Sequence, residues 1–186
     1  EVRRIAEENG LSVADKKDST GICFIGERNF RKFLKQFLPA QPGEMRSVDG
    51  ELIGRHEGLM YYTIGQRRGL GIGGRGNGGR WFVIRKDMEN NILVVAQDEK
   101  EPGLWSRALI TEKFNFINPI TEKEFDCTAK FRYRQSDRPV HVRVQDDGSC
   151  YIEFYERERA ITEGQFAVLY NGDHCLGGGV IEKVIC

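Results

Sequence analysis

The chain has 186 residues, 39% of them hydrophobic and 30% charged, a composition that can bury a core and that excludes a disordered polymer. Its 28 basic and 28 acidic side chains cancel to a formal charge of +0, which excludes a general nucleic-acid sponge and confines any RNA-binding surface to a local patch. The five cysteines (Cys23, Cys127, Cys150, Cys175 and Cys186) are odd in number, widely spaced and without a C-x-x-C pair, which excludes a secreted disulfide framework and fits reduced thiols in a cytosolic protein.

The chain opens at Glu1, without an initiator Met and already in a helical pattern, and is expected to be part of a longer protein. Residues 1–9 read as the last turns of a helix, with Gly10 at C′ and Leu11 after it in a Schellman ending. A polar stretch follows from Ser12 to Gly21, then a short apolar run, Ile22 to Ile25. The clearest helical period runs from Glu27 to Leu38: Phe30, Phe33, Leu34, Phe37 and Leu38 make one stripe, and Pro39 ends it.

After Gly43 short β-type runs alternate with turns. Val48-Asp49-Gly50-Glu51 is a hairpin signal. Strands are expected at 60–64, 81–85, 92–96, 126–133, 140–145, 151–155, 165–170 and 179–184. Asp146-Asp147-Gly148-Ser149 and Asn171-Gly172-Asp173 serve as connecting turns. A boundary falls near residue 100, at polar Glu99–Gly103. The pattern predicts a mainly β protein: a small central β-rich domain with one N-terminal helix, followed by a C-terminal antiparallel barrel.

Gly69-Leu70-Gly71-Ile72-Gly73-Gly74 spells G-x-G-x-x-G, but no helix can begin in the Arg- and Gly-rich segment that follows, so a dinucleotide site is rejected. Between Ile53 and Lys86 there are seven basic residues (Arg55, Arg67, Arg68, Arg75, Arg80, Arg85 and Lys86) against one acid, Glu57. Glycine amides there can meet phosphate oxygens, and Tyr61, Tyr62 and Trp81 can stack on bases. A hairpin with solvated arginines explains the same composition, and both readings stay open.

A second cluster is Lys130-Phe131-Arg132-Tyr133-Arg134-Gln135. Strand alternation would put Lys130, Arg132 and Arg134 on one face, with Arg138 and Arg143 following. A merely charged strand face, partly neutralised by Asp137 and Glu153, is the other reading. Cys23 precedes the 27–38 helical pattern and follows Lys16 and Lys17, surroundings that lower a thiol pKa. Physics alone favours a small buried hydrophobe between Ile22 and Phe24. The other cysteines are quieter: Cys127 and Cys150 are placed like inward-facing strand residues. Neither His174-Cys175 nor Cys127 with His141 has zinc-ligand spacing, so no metal site is expected.

Three stretches carry a resemblance: Asp18-Ser19-Thr20-Gly21-Ile22-Cys23-Phe24-Ile25-Gly26, the segment from His56 through Gly65-Gln66-Arg67-Arg68 to Gly74, and Cys175-Leu176-Gly177-Gly178-Gly179. Asn90 to Ala96 and Arg132-Tyr133-Arg134-Gln135 add to it. The chain resembles the tRNA-specific 2-thiouridylase family (the MnmA type). That resemblance implies a tRNA sulfurtransferase that makes 2-thiouridine at the wobble position, U34. ATP and Mg²⁺ serve adenylation of uridine C2, and a cysteine persulfide supplies the sulfur. Cys23 matches the persulfide cysteine. The family's S-G-G-x-D-S loop and first cysteine are absent, so the chain is expected to bind no cofactor itself and to be inactive alone. Residues 1–25 match the tail of the ATP-pyrophosphatase domain, 26–100 a central tRNA-binding domain and 101–186 a barrel like those of translation factors. Arg132, Tyr133 and Gln165 match tRNA contacts, and Arg134, Gln135, Arg67 and Arg68 are taken with them. Expected partners are tRNA and a persulfide-donor protein. No run approaches the about 18 apolar residues of a membrane span and no signal peptide is visible, so a cytoplasmic setting without membrane contact is expected. The alternative is a non-catalytic tRNA-binding β module.

Overall fold

The computed structural model describes residues 1–12, 14–15, 33–73, 78–132 and 135–186. It divides into two units, Glu1–Pro39 and Ala40–Cys186. In the first, helix α1 (Val2–Glu8) ends as its sequence predicts. Gly10 takes φ +65°, its N–H donates to Glu7 O, and the Leu11 N–H donates to Ala6 O, the paired bonds of a Schellman motif. The helical pattern at 27–38 lies mostly outside the described residues. Its end, from Phe33, closes with the Leu38 N–H bonded to Leu34 O.

The second unit holds two sheets. Strands β1 (Gly43–Ser47), β2 (Leu52–His56), β3 (Phe82–Asp87) and β4 (Ile92–Ala96) form a sheet in the order β2-β1-β4-β3. The β1–β2 hairpin turns where Asp49-Gly50 requires, and Gly50 has positive φ. β4 is apolar throughout because it is central: β1 flanks it in parallel and β3 antiparallel.

The barrel is built from β5 (Trp105–Thr111), β7 (Glu124–Lys130), β8 (Arg138–Val144), β9 (Cys150–Arg159), β10 (Phe166–Asn171) and β11 (His174–Ile185), with short β6 (Asn115–Phe116) added to β11. The order β10-β7-β8-β9-β5-β11 closes through the β10–β11 pair, so the six strands form a ring. Alternation fills it: Val140 and Val142, Cys150 and Ile152, and Ala167 and Leu169 all point inward and are fully buried. β11 serves both β10 and β5, with a register irregularity against each. Gly177 has φ +152°, and a Cβ there would lie 2.1 Å from Asn115 O, so only glycine lets β6 approach.

Two expectations are corrected. Residues 60–64 are not a strand: Leu59–Tyr61 form a 3-10 turn after Gly58, whose φ is +149°. The strand expected to reach residue 133 ends at Lys130. Strand β5 was not foreseen. No helix among the described residues is long and apolar enough to cross a membrane.

Candidate nucleic-acid interface

The barrel corner after β7 forms because a side chain replaces the sheet ladder. The Phe131 N–H donates to Gln135 Oε1 at 3.0 Å, and Gln135 Nε2 donates to Glu158 Oε2 at 3.1 Å. Phe131 is buried against Phe154, 5.2 Å between ring centroids. Both ends of Gln135 are thereby used inside the protein, which makes it a brace for the corner. Arg132 projects from the corner, exposed, with Nη2 donating to Ala160 O at 2.5 Å. Tyr133 and Arg134 lie outside the described residues, as does Cys23.

The expected basic stripe is mostly neutralised. Lys130 lies 3.0 Å from Asp137, and Arg143 binds Glu124 (3.0 Å) and Glu153 (3.1 Å). Arg138 Nε lies 3.0 Å from Glu158 Oε1, close enough for an ion pair but badly angled for a hydrogen bond. Burial raises the Glu158 carboxyl pKa, and Arg138 opposes the shift. Among the described residues, Arg132 has no carboxylate partner. It shares a depression of about 400 Å³ with Gln165, distant in sequence, together with Lys130, Phe131, Phe166, Val168 and Tyr170. Among the described residues, no acidic side chain lines it.

The segment carrying Arg67 and Arg68 is fixed by its neighbours. His56 is buried; its Nδ1 accepts the Gly58 N–H (3.1 Å), so the proton sits on Nε2, which faces Asn91 O (3.1 Å). Burial lowers its pKa, and the bond to Asn91 opposes that in part. The Gly65 N–H donates to Val83 O and the Val83 N–H to Gln66 O, tying the loop to β3. The Gln66 side chain spans the turn, accepting from Thr63 N–H and donating to Arg68 O. Gln66 braces the loop and His56 the segment before it, structural roles that reading by charge overlooked; their place inside the motif was the signal for them. Arg67 and Arg68 are exposed, and neither forms an ion pair among the described residues. Arg67 lines a second depression with Gly69–Gly73, Arg80 and Trp81, separate from the one around Arg132. Tyr61 and Tyr62, expected to stack on bases, are buried instead, leaving Trp81 as the half-exposed aromatic.

Ala160 joins the two regions. It has φ +56°, its N–H donates to Leu104 O, and its carbonyl holds Arg132. A Cβ on Gly65 would lie 2.6 Å from the Ala160 Cβ, so glycine at 65 lets the arginine loop seat beside the residue that fixes Arg132.

The described cysteines are poor nucleophiles where they are enclosed. Burial pushes the Cys127 thiol up to about 12, with Asp126 adding to it. Burial, reinforced by Cys127, takes Cys150 to about 12 as well. Cys175 and Cys186 are exposed. Among the described residues no group of three or more His, Cys, Asp or Glu can hold a metal ion.

The chain is similar in sequence to known proteins. Three family models match in succession: the tRNA methyl transferase HUP domain over residues 1–27, the tRNA methyl transferase PRC-barrel domain over 31–97 and the aminomethyltransferase beta-barrel domain over 106–181. The tRNA-specific 2-thiouridylase MnmA 1 of Geobacillus kaustophilus is 58% identical over 186 residues, covering 100% of this chain and 50% of that protein. Those of Lysinibacillus sphaericus and Listeria monocytogenes are 58% and 57% identical over 99% of this chain and 49% of theirs. The chain spans about half the length of these curated relatives. With identity above one half along its whole length, and motifs that the barrel corner and the braced loop explain physically, the chain belongs to the tRNA-specific 2-thiouridylase family.

Proposed function

We propose that this chain is the tRNA-holding and sulfur-delivering part of an enzyme that makes 2-thiouridine at U34 of tRNA. The observation that carries the binding half is the open guanidinium of Arg132 beside Gln165, in a depression without acidic lining. Arg67 and Arg68, on a loop braced by Gln66, supply a second patch for backbone phosphates. Arg132, Tyr133, Arg134 and Gln165 are the proposed contacts. Gln135 acts by holding the corner. Residues 26–100 and 101–186 are proposed as two tRNA-binding domains, with 1–25 as the tail of a nucleotide-handling domain.

Cys23 is the proposed persulfide carrier, by the resemblance of its surrounding motif; Cys127 and Cys150, held protonated, are unsuited to that role. Once the oxygen on uridine C2 has become a leaving group, the terminal sulfur of the Cys23 persulfide attacks C2 and that group departs. A second thiol then attacks the Cys23 sulfur. The S–S bond to the nucleoside breaks, 2-thiouridine is released, and the two cysteines leave as a disulfide. A thiol reductant must then reopen that disulfide by two-electron reduction, and a persulfide-donor protein must recharge the freed Cys23 thiol, in a cytoplasmic setting. ATP and Mg²⁺ find no fit among the described residues. Among the described residues, no helix begins between Gly69 and Gly73 or between Gly78 and β3, and no acidic cluster can hold a cation.

The test compares wild type with Cys23→Ser in the full-length enzyme, given ATP, a persulfide donor and tRNA, counting 2-thiouridine by mass spectrometry. Loss of product with tRNA binding intact is expected. Undiminished product would leave the second reading, a tRNA-binding module without a catalytic residue.

A further inference from the structure

The outer face of β10 carries a row of apolar side chains that the barrel core does not use. Ala167 and Leu169 point inward, so Phe166, Val168 and Tyr170 point out. Phe166 is 61% exposed, at the rim of the depression that holds Arg132 and Gln165. A single exposed hydrophobe is ordinary on a protein surface, but three in register on one strand, beside two cations, are a patch. The rings differ in availability. Lys130 Nζ sits 5.3 Å from the centroid of Tyr170, occupying that face. No ring or cation contact involves Phe166 among the described residues. Across the sheet, Val168 pairs with Gly178, which has no side chain to rise over the face.

We propose that Phe166 is a stacking platform for an unpaired nucleobase of the bound tRNA, with Arg132 on an adjacent phosphate. An apolar protein partner would fit the row alone. The unpaired cation, the amide of Gln165 and the absence of acidic lining favour a polyanion with flat apolar faces, which is single-stranded RNA. This inference rests on the tRNA-binding reading above.

The test uses the full-length enzyme and an unmodified tRNA transcript, measuring affinity across a salt series. Phe166→Ala weakens binding about tenfold with no change in the salt dependence, because a stack releases no counterions. Phe166→Tyr retains wild-type affinity, whereas Phe166→Leu, apolar but without a π face, does not. Melting temperatures stay within a degree or so, since the ring is exposed. Wild-type affinity for Phe166→Ala, with Arg132→Ala still impaired, overturns the stacking role and leaves the interface standing. Full rescue by Leu reduces the contact to apolar packing and overturns it equally. Wild-type affinity in both Phe166→Ala and Arg132→Ala removes the interface itself.

Discussion

The outer face of β7, β8 and β9 and the corner at Arg132 are built from the same residue types, yet they present opposite surfaces. On the strands three cations are answered: Lys130 by Asp137, Arg138 by Glu158, Arg143 by Glu124 and Glu153. At the corner Arg132 is held by a neutral carbonyl, and on the braced loop Arg67 and Arg68 extend without counter-charge among the described residues. A basic run in a sequence counts charges; the fold decides which of them are already spent. Only the open ones have counterions to give up to a phosphate backbone.

The comparison depends on the corner keeping its shape, and Phe131 is what holds it. Phe131→Ala empties a buried site between Phe154 and the barrel core and is expected to cost about 3–5 kcal/mol, read by denaturant melts. RNA binding should fall with it although no charge is lost. Full stability in that variant would mean that the corner does not rest on Phe131.

The two regions should also respond oppositely to pH. His56, at the end of β2 and bonded to the Gly58 N–H, has its pKa lowered by burial. Its contribution is complete above about 6.5, the unfolded value, and is lost as pH falls through the lower folded value. His141, in the paired network, has its pKa raised by its bonds to Glu124 (2.9 Å) and Asp126 (2.7 Å). Its contribution is present below about 6.5 and is lost as pH rises through the higher folded value. His56→Gln should flatten the acidic limb of a stability–pH profile, and His141→Gln should remove a smaller decline on the alkaline side. Identical profiles for wild type and both variants would contradict these roles.

Much of the fold was legible because short-range chemistry dictates it. Gly10 and Leu11 ended α1 as expected, Asp49-Gly50 made the hairpin, and alternation placed β8, β9 and β10. Strand β5 was missed because polar residues face inward. Ser106 is buried, and so is Thr111, whose Oγ1 accepts the Cys150 N–H. Buried in the core, they spoil the apolar pattern. Tyr61 and Tyr62 misled for the opposite reason: tyrosines in a basic segment suggested stacking, but tertiary burial took them. The site was half legible. Resemblance supplied Arg132 and Gln165, and the fold brought them together. That Gln135 and Gln66 act as braces follows from hydrogen bonds between residues whose sequence spacing says nothing about geometry.

The distinction between spent and open cations is tested most directly by the salt dependence of tRNA binding. In the full-length enzyme, log affinity against log salt should fall less steeply for Arg132→Ala than for wild type, by about one unit of slope. Arg143→Ala, removing a cation already held by Glu124 and Glu153, should leave the slope unchanged. Equal slopes for wild type and Arg132→Ala, or a loss for Arg143→Ala as large as that predicted for Arg132→Ala, would contradict the account.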